Sequence, residues 1–291
     1  MGNNSLKKFV KPILPVLKGL GQIMLQENAL TGLLFLAGIA YGSPTMGLAA
    51  LLATICGTIT ARVLKYDVAE TDKGLYGFSA ALTGVALILF LKPQPIVWVF
   101  IVAGSVLAAI IQHFFIRKNI PVFTLPFVLV TWLILFVVKY SLPALMVEHP
   151  LVLIPSNQYL TFAIKGFGQV IFQGKVLSGL LFFIAVFINS PIAALYGLAG
   201  ALFSGIVAQL LGVPVDDIAF GLFSFNAVLC AIVFAGNKLQ DGLWVTISVF
   251  LSLMISILLV RYGIIQLTFP FVMATMVSLT VKKKLVIKSN P

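Results

Sequence analysis

The stretch of sequence that decides the fold occurs twice. Gln22–Pro44 (QIMLQENALTGLLFLAGIAYGSP) aligns without gaps on Gln169–Pro191 (QVIFQGKVLSGLLFFIAVFINSP), and nine of the 23 positions are identical at an offset of 147 residues. Each copy begins with a glutamine and continues as an apolar run that ends in Ser-Pro. An internal repeat of this kind constrains the architecture more strongly than any single motif.

Two shorter blocks extend the repeat along the chain. Gly74–Gly84 (GLYGFSAALTG) matches Gly221–Ala231 (GLFSFNAVLCA) at the same offset, with five of 11 positions identical. Thr124–Thr131 (TLPFVLVT) matches Thr268–Thr275 (TFPFVMAT) at an offset of 144, with five of eight identical. Because the three blocks keep one order, the sequence predicts two homologous halves, residues 9–146 and 150–283.

The composition places both halves in a membrane. Of the 291 residues, 60% are hydrophobic and only 9% are charged, whereas soluble domains carry roughly 25% charged residues. Residues 29–61 and 176–215 contain no charge at all. Each of these runs is long enough for about two bilayer crossings of roughly 20 residues. The sequence therefore predicts an all-α, polytopic integral membrane protein.

Each half contains five apolar segments in the same order. They span residues 29–42, 44–61, 74–91, 95–116 and 119–138 in the first half, and 176–189, 191–211, 218–236, 242–260 and 262–281 in the second. Further apolar stretches lie at 9–25 and 151–164. The first two segments of each half are short for a perpendicular crossing, which indicates a tilted or re-entrant piece.

The distribution of lysines predicts the orientation of the chain. Both tails are lysine-rich, and positive charge beside membrane spans favours the cytoplasmic side. The lysines are Lys7, Lys8, Lys11 and Lys18 at one end and Lys282, Lys283, Lys284 and Lys288 at the other. Two cytoplasmic tails require an even number of crossings, and five per half would invert one half relative to the other, with the solute path on the pseudo-twofold axis. A parallel arrangement of six plus six crossings also gives an even number and stays open.

The acidic residues argue against active transport. The chain has eight: Glu27, Asp67, Glu70, Asp72, Glu148, Asp216, Asp217 and Asp241. Only Glu27 adjoins an apolar segment, and its counterpart in the second half is Gly174. Ion-coupled transporters usually depend on intramembrane acids, so the pattern favours passive movement of a neutral solute.

Several other classes of protein are not expected. The chain has two cysteines, Cys56 and Cys230, and two histidines, His113 and His149, and none of the four has a ligand-spaced partner. We therefore expect neither a metal nor another cofactor. The net charge of +11 does not predict nucleic-acid binding, because basic residues beside membrane spans usually record orientation.

Neutral polar residues recur at matched positions of the two halves. Gln22 and Gln169 precede the matched apolar runs, and an amide at membrane depth must find hydrogen-bond partners. Thr124 and Thr268 precede Pro126 and Pro270, which would each free a backbone carbonyl one turn back. Hydroxyls and carbonyls together would make a row of oxygens. The alternatives are an interhelical hydrogen bond or an interfacial position for each glutamine, and an ordinary proline kink for each threonine site.

Aromatic residues lie near these polar positions. Phe78 and Leu82 are four residues apart, as are Phe225 and Leu229, which places each pair on one helix face. Phe172 follows Gln169 by three residues, one turn along the same predicted face. The alternative for any one phenylalanine is simple packing. Together, facing rings would form a slot that admits a planar molecule.

These motifs resemble the urea transporter family. The similarity is carried by Asn-x-Leu-Thr-Gly at 28–32, Ser43-Pro44, Gly-Leu-Tyr-Gly-Phe at 74–78 and Pro-x-x-Thr-x-Pro-Phe at 121–127, and the matching blocks run from about 22 to 275. The resemblance implies two inverted repeats, each with five crossings and a tilted re-entrant half-helix. It also implies a homotrimer in which each protomer has its own pore for facilitated diffusion of urea.

The resemblance also implies roles for individual residues. Gln22 and Gln169 would hydrogen-bond urea, Thr124 and Thr268 would belong to ladders of oxygens, and Phe78, Phe172 and Phe225 would sandwich the solute, with Leu82 and Leu229 at the waist. Val170 matches a further wall position, and Gln158 a polar position near one mouth. The chain departs from the family in two places, because Leu25 stands where a phenylalanine is usual and Ser79 where asparagine is common.

The sequence thus predicts a passive urea channel in a cell membrane, of the bacterial inner-membrane kind, surrounded by lipid. Urea is planar and uncharged, and acceptors along one edge with apolar walls on its faces would replace its water. A channel of the same plan for ammonia, water or short amides stays open because of Leu25. A membrane-embedded enzyme would need acids or histidines at membrane depth, and an ion-coupled carrier would need an intramembrane acid, and neither is predicted.

Overall fold

The structure of the chain is a computed structural model that describes residues 12–147 and 161–289, apart from the side chains of residues 286–289. Within these ranges the regular elements are helices, and no strand is formed. The chain divides into two compact units, Met1–Pro150 and Leu151–Pro291. His149 and Gln158 lie outside the described residues.

The first unit consists of seven described α-helices and two short 3₁₀ helices. The α-helices are α1 (Leu14–Gly21), α2 (Ala29–Gly42), α3 (Pro44–Val63), α4 (Val68–Asp72), α5 (Phe78–Phe90), α6 (Pro95–Arg117) and α7 (Leu125–Ser141), and the 3₁₀ helices are Gln22–Met24 and Pro143–Leu145. Helix α2 begins where Asn28 caps it, its Oδ1 accepting from the backbone N–H groups of Leu30 (2.8 Å) and Thr31 (3.1 Å). Helix α3 begins with Pro44, a residue whose fixed φ suits the first helical turn.

The second unit contains seven described α-helices in the same order. They are α8 (Phe162–Gln169), α9 (Val176–Asn189), α10 (Pro191–Leu210), α11 (Val215–Ala219), α12 (Phe225–Phe234), α13 (Leu239–Arg261) and α14 (Phe269–Ser289). Equivalent helices have matching lengths: α2 and α9 have 14 residues each, α3 and α10 have 20, and α6 and α13 have 23.

Among the residues that the structure describes, four helices are long and apolar enough to cross a membrane: α3, α6, α10 and α13. The segment from Leu14 to Met24 and helix α2 pass the same criteria as a pair, with a bend of 75° between them. Helices α5, α7, α9 and α12 are shorter apolar helices of 10–17 residues. The fold is therefore that of a helical membrane protein, with apolar helices of both full and partial length.

Two predicted segment boundaries are wrong, because a hydropathy profile does not register turns. The segments predicted from 74 and from 218 contain a turn, and their long helices begin only at Phe78 and Phe225. Gly74 and Gly221 cause this, with φ values of +79° and +81° that end any preceding helix. The predicted C-terminal lysine tail is also helical, since α14 continues to Ser289.

Helix packing in each unit depends on close backbone approach. A Cβ atom on Gly32 of α2 would overlap the backbone oxygen of Leu17 on α1, and a Cβ on Gly179 of α9 would overlap the backbone oxygen of Ile164 on α8. Phe35 and Phe182, three residues further along each helix, are both fully buried. The two units therefore use the same contact at equivalent positions to bring a short helix against a longer one.

Candidate functional site

The two matched glutamines make the same hydrogen bond in their own units. Gln22 Nε2 donates to the backbone oxygen of Lys73 at 3.0 Å, and Gln169 Nε2 donates to the backbone oxygen of Phe220 at 3.1 Å. Because a carbonyl oxygen only accepts, the amide nitrogen must face it. Oε1 of each glutamine is thereby left as an acceptor with no partner among the described residues.

Three residues after each glutamine, the backbone enters the left-handed region. Leu25 has a φ of 59° and Phe172 a φ of 58°, a conformation that costs a residue with a Cβ roughly 1–2 kcal/mol. The prediction that Gln169 and Phe172 share one helical face is wrong. Helix α8 ends at Gln169, and the left-handed turn redirects the Phe172 side chain. Leu25 and Phe172 thus occupy equivalent strained turns in the two units.

A second matched pair of glutamines, not identified from the sequence, stabilises these turns by hydrogen bonds. Gln26 Nε2 donates to the Met24 oxygen at 2.7 Å, and Gln173 Nε2 donates to the Ile171 oxygen at 3.0 Å. Each bond spans the left-handed residue, and both glutamines are buried at 3% exposure. The amide therefore satisfies a carbonyl at the end of the preceding turn and holds the strained residue in place.

We expect Gln26→Met or Gln173→Met to lower the free energy of unfolding by about 1–3 kcal/mol each, because a buried carbonyl loses its donor. The losses should add in the double variant, since the two sites lie in different units. Thermal unfolding of the purified protein measures this. Gln94→Met is the matched control, because Gln94 is exposed and its side chain makes no hydrogen bond to another described residue. Equal melting temperatures for all variants would show that the glutamines do not hold the turns.

Phe78 and Phe225 are the first residues of helices α5 and α12, and both are buried at 6% exposure. Leu82 and Leu229 follow one turn later and are fully buried. The carbonyls that accept from Gln22 and Gln169 belong to the residues just before Gly74 and Gly221, in the turns that lead into these helices. In each unit a hydrogen bond between residues 51 positions apart therefore joins the glutamine turn to the phenylalanine helix.

Thr124 and Thr268 stand immediately before helices α7 and α14, and both are buried. Each follows a residue with positive φ, Phe123 at 49° and Leu267 at 44°. These left-handed residues end the preceding loops, so each threonine lies at the point where a helix starts.

The expectation that Pro126 and Pro270 free a carbonyl one turn back is wrong. Both prolines are the second residue of a helix. A backbone N–H at this position would have no intrahelical acceptor, so the missing N–H of proline breaks no hydrogen bond of the helix. The carbonyls four residues earlier are used: Val122 accepts from the Leu125 N–H at 2.9 Å, and Gln266 accepts from the Phe269 N–H at 3.1 Å. The prolines start helices and do not kink them.

Asn226 shows that the second unit holds its threonine segment differently from the first. Its Nδ2 donates to the Leu267 oxygen at 3.2 Å, and its Oδ1 accepts from the Phe271 N–H at 3.2 Å, so one amide brackets Thr268. The equivalent Ser79 contacts Gln112 instead, with 3.5 Å between Oγ and Oε1. The serine is too short to bracket a segment in this way. A serine at this position, noted above as a departure from the family, thus changes a contact in the structure.

The charged residues near these turns are also asymmetric. Lys18 on α1 forms an ion pair with Glu27 at 3.0 Å. The equivalent of Lys18 is Lys165 on α8, which is buried at 3% exposure with its Nζ 5.9 Å from the centre of the Phe220 ring. This buried lysine was not predicted, although the 147-residue offset that relates it to Lys18 is visible in the sequence. Glu27, the acid closest to an apolar segment, is thus a paired and partly exposed residue.

Val170 and Leu25, the other predicted site residues in the described ranges, differ in exposure. Val170 is buried at 1% exposure directly after helix α8, and Leu25 is 37% exposed. No group of three or more histidine, cysteine or acidic side chains that could hold a metal occurs among residues 12–147 and 161–289. His113 instead stacks on Tyr66, with ring centres 3.5 Å apart, and contacts the Tyr76 hydroxyl at 3.0 Å.

The family of the chain follows from its similarity to known proteins. A sequence model described as urea transporter matches residues 13–283. The chain belongs to the urea transporter family. This match confirms the resemblance inferred from the four motifs. With its apolar helices, this urea transporter family member is a multi-pass membrane protein.

Characterised relatives have the same family name. The chain is 28% identical over 238 residues to urea transporter 1 of Rattus norvegicus, an alignment that covers 76% of this chain and 62% of the relative. It is 25% identical over 296 residues to urea transporter 1 of Ovis aries, covering 92% of this chain and 77% of the relative. The chain therefore spans about 62% of the length of the rat protein.

Proposed function

We propose that this urea transporter family member moves urea passively across a membrane through a narrow, uncharged pore. The observation that carries the proposal is the matched pair of glutamines, each anchored by its N–H to a backbone carbonyl and each left with a spare oxygen acceptor. Urea has four N–H donors, and an acceptor fixed in advance replaces lost water without the cost of ordering a side chain. Family membership and the names of the relatives support the same function and favour neither an enzyme nor an ion-coupled carrier.

The roles of the residues in this proposal follow their positions in each unit. Gln22 and Gln169 accept hydrogen bonds from urea, and Thr124 and Thr268 supply further oxygens. The phenyl rings of Phe78, Phe172 and Phe225 cover the faces of the solute, Leu82 and Leu229 narrow the passage, and Val170 lines it. Gln158 is proposed for one mouth.

We propose that the two units are inverted repeats of five crossings each plus a tilted half-helix, with the pore on their pseudo-twofold axis. The matched helix lengths and hydrogen bonds of the two units support duplication. Charges at equivalent helix ends support inversion: Arg62 and Lys65 follow the apolar part of α3, whereas Gln209 and Gly212 occupy these positions at the end of α10. Cations concentrate on the cytoplasmic side, so the two ends belong on opposite faces of the membrane.

The same proposal includes a homotrimer with one pore per protomer and both termini in the cytoplasm. The lysine-rich ends of the sequence support the orientation, and the family resemblance supports the trimer. We place the protein in a bacterial inner membrane.

Stopped-flow light scattering on proteoliposomes tests the function. We expect urea to equilibrate at least about tenfold faster than in protein-free liposomes, with acetamide and water accelerated less, because the acceptors fit a molecule with four N–H donors. Formamide and ammonia complete the panel. Equal acceleration of all solutes would favour the second candidate, a channel for small amides, water or ammonia, which Leu25 supports because it replaces an aromatic wall. Urea accumulation that collapses with a sodium or proton gradient would contradict the passive mechanism.

A further inference from the structure

A cavity of about 620 Å³ lies in the first unit, at the end of helix α3 and away from the proposed pore residues. Its lining includes Arg62, Lys65, Tyr66 and Asp72, which come from the end of α3 and from the α4 segment. Arg62 and Lys65 are exposed and form no ion pair with any residue in the described part of the chain. The cavity is thus a recess of mixed polarity that offers two cations to a ligand.

An apolar groove of about 320 Å³ adjoins this cavity. Arg62 and Pro12 line both spaces, so the groove and the cavity lie side by side. Leu51, Ile55 and Ile59 form one wall of the groove, and because they are spaced four residues apart they lie on one face of α3 that leads to Arg62. Ile13 and Val16 of the α1 region line the groove as well.

The dimensions of α3 place the two spaces at different membrane depths. The helix has 20 residues, about 30 Å at 1.5 Å per residue, which is the thickness of the hydrocarbon core. Arg62, near its end, therefore lies at the membrane surface. Leu51 lies 11 residues earlier, about 16 Å deeper, so the groove follows the hydrocarbon region.

The charges of the cavity favour an anion. Of the three acids in the α4 segment, Asp67 Oδ1 accepts from the Glu70 N–H at 3.0 Å, and Glu70 Oε2 accepts from the Tyr76 hydroxyl at 2.5 Å. Asp72 is the acid that lines the cavity, against two cations. A zwitterionic headgroup would leave this excess of positive charge unbalanced.

We propose that this recess binds an anionic phospholipid, with the phosphate on Arg62 and Lys65 and one acyl chain in the groove along α3. An acidic lipid matches both the charge of the cavity and the apolar groove at its edge, and lysines beside a membrane segment attract such lipids. The site belongs to the first unit alone, because the second has Gln209 and Gly212 where the first has Arg62 and Lys65. The proposal does not depend on urea conduction.

Native mass spectrometry of the full-length protein tests the proposal. The protein is mixed with equal amounts of phosphatidylglycerol, phosphatidylethanolamine and phosphatidylcholine, and we expect phosphatidylglycerol to be retained in preference. Arg62→Gln/Lys65→Gly, which introduces the residues of the second unit, should reduce that retention about tenfold or more. Glycine suits position 65, where φ is 56°. Lys92→Gln/Lys139→Gln removes two cations that do not line the cavity and should change nothing.

A second variant tests the groove without altering charge. Ile55→Trp should fill the groove and also reduce phosphatidylglycerol retention, even if the double variant proves unstable. Unchanged retention in both variants would overturn the proposal, as would equal retention of phosphatidylethanolamine. Displacement of the lipid by millimolar inorganic phosphate would overturn it too, because it would identify an anion site that needs no acyl chain.

Discussion

Gly32→Ala and Gly179→Ala are each expected to abolish the accumulation of folded protein. Each glycine is the fourth residue of a 14-residue apolar helix, where alanine would normally favour the helix by about 1 kcal/mol. Here the added Cβ overlaps a backbone oxygen of the neighbouring short helix, that of Leu17 or Ile164. A flexible side chain could move aside, but a helical backbone cannot. We expect a loss of more than about 3 kcal/mol, the upper range for overpacking.

Size-exclusion chromatography of the extracted protein, together with its yield and melting temperature, measures this effect. Gly242→Ala is the control, because Gly242 also lies in an apolar helix, and the closest neighbouring atom, the Tyr196 hydroxyl oxygen, would be 3.7 Å from the new Cβ. The control should be folded and at least as stable as the wild type. A monodisperse Gly32→Ala protein with a wild-type melting temperature would contradict the close packing of α1 on α2.

The same contact shows why the repeat was visible in the sequence. Gly32 and Gly179 are identical because both positions meet a backbone, and Gln22 and Gln169 are identical because both reach a carbonyl. Residues under such constraints align at one offset, so the matched blocks, the helix order and most helix lengths could be predicted.

Contacts between distant segments could not be predicted. The partner of Gln22 lies 51 residues away, and nothing in the local pattern identifies the Lys73 carbonyl as its acceptor. The left-handed turns at Leu25 and Phe172 were missed for a similar reason, since neither residue is a glycine and helical spacing was the default expectation. Gln26 and Gln173 were overlooked because their function depends on those turns. The identical spacing of Gln-x-x-x-Gln in both halves was the available signal.

The two units also differ in the environment of their charged residues, and the apolar composition of the sequence does not show this. Lys165 is buried, whereas its equivalent Lys18 is paired with an acid, and the apolar pattern around the two lysines does not reveal this difference. The cavity at Arg62 and Lys65 forms because residues of the short helix α4 lie beside the end of α3. Charge counts along the sequence give orientation, but they do not reveal which cations share a recess.

Replacing both anchored glutamines is expected to have the largest effect on transport. Gln22→Leu or Gln169→Leu keeps the size of the side chain but removes the oxygen that we propose accepts from urea. One lost hydrogen bond of about 1.4 kcal/mol corresponds to a factor of about ten. Each single variant should therefore lower urea permeability about tenfold, and the double variant about a hundredfold if the two sites act independently.

Stopped-flow measurements on proteoliposomes with equal amounts of reconstituted protein would test this. Gln209→Leu is the matched control, because Gln209 is exposed at the end of α10 and its side chain makes no hydrogen bond within the described part of the chain. The permeability of this variant should equal that of the wild type. Gln22→Glu separates the two ends of the amide: it keeps an acceptor but removes the N–H that donates to Lys73, so the side chain is no longer held and conduction should still fall. If the folded double leucine variant had the urea permeability of the wild type, the glutamine acceptors would contribute nothing to the passage of urea. Both glutamines would then be packing residues only.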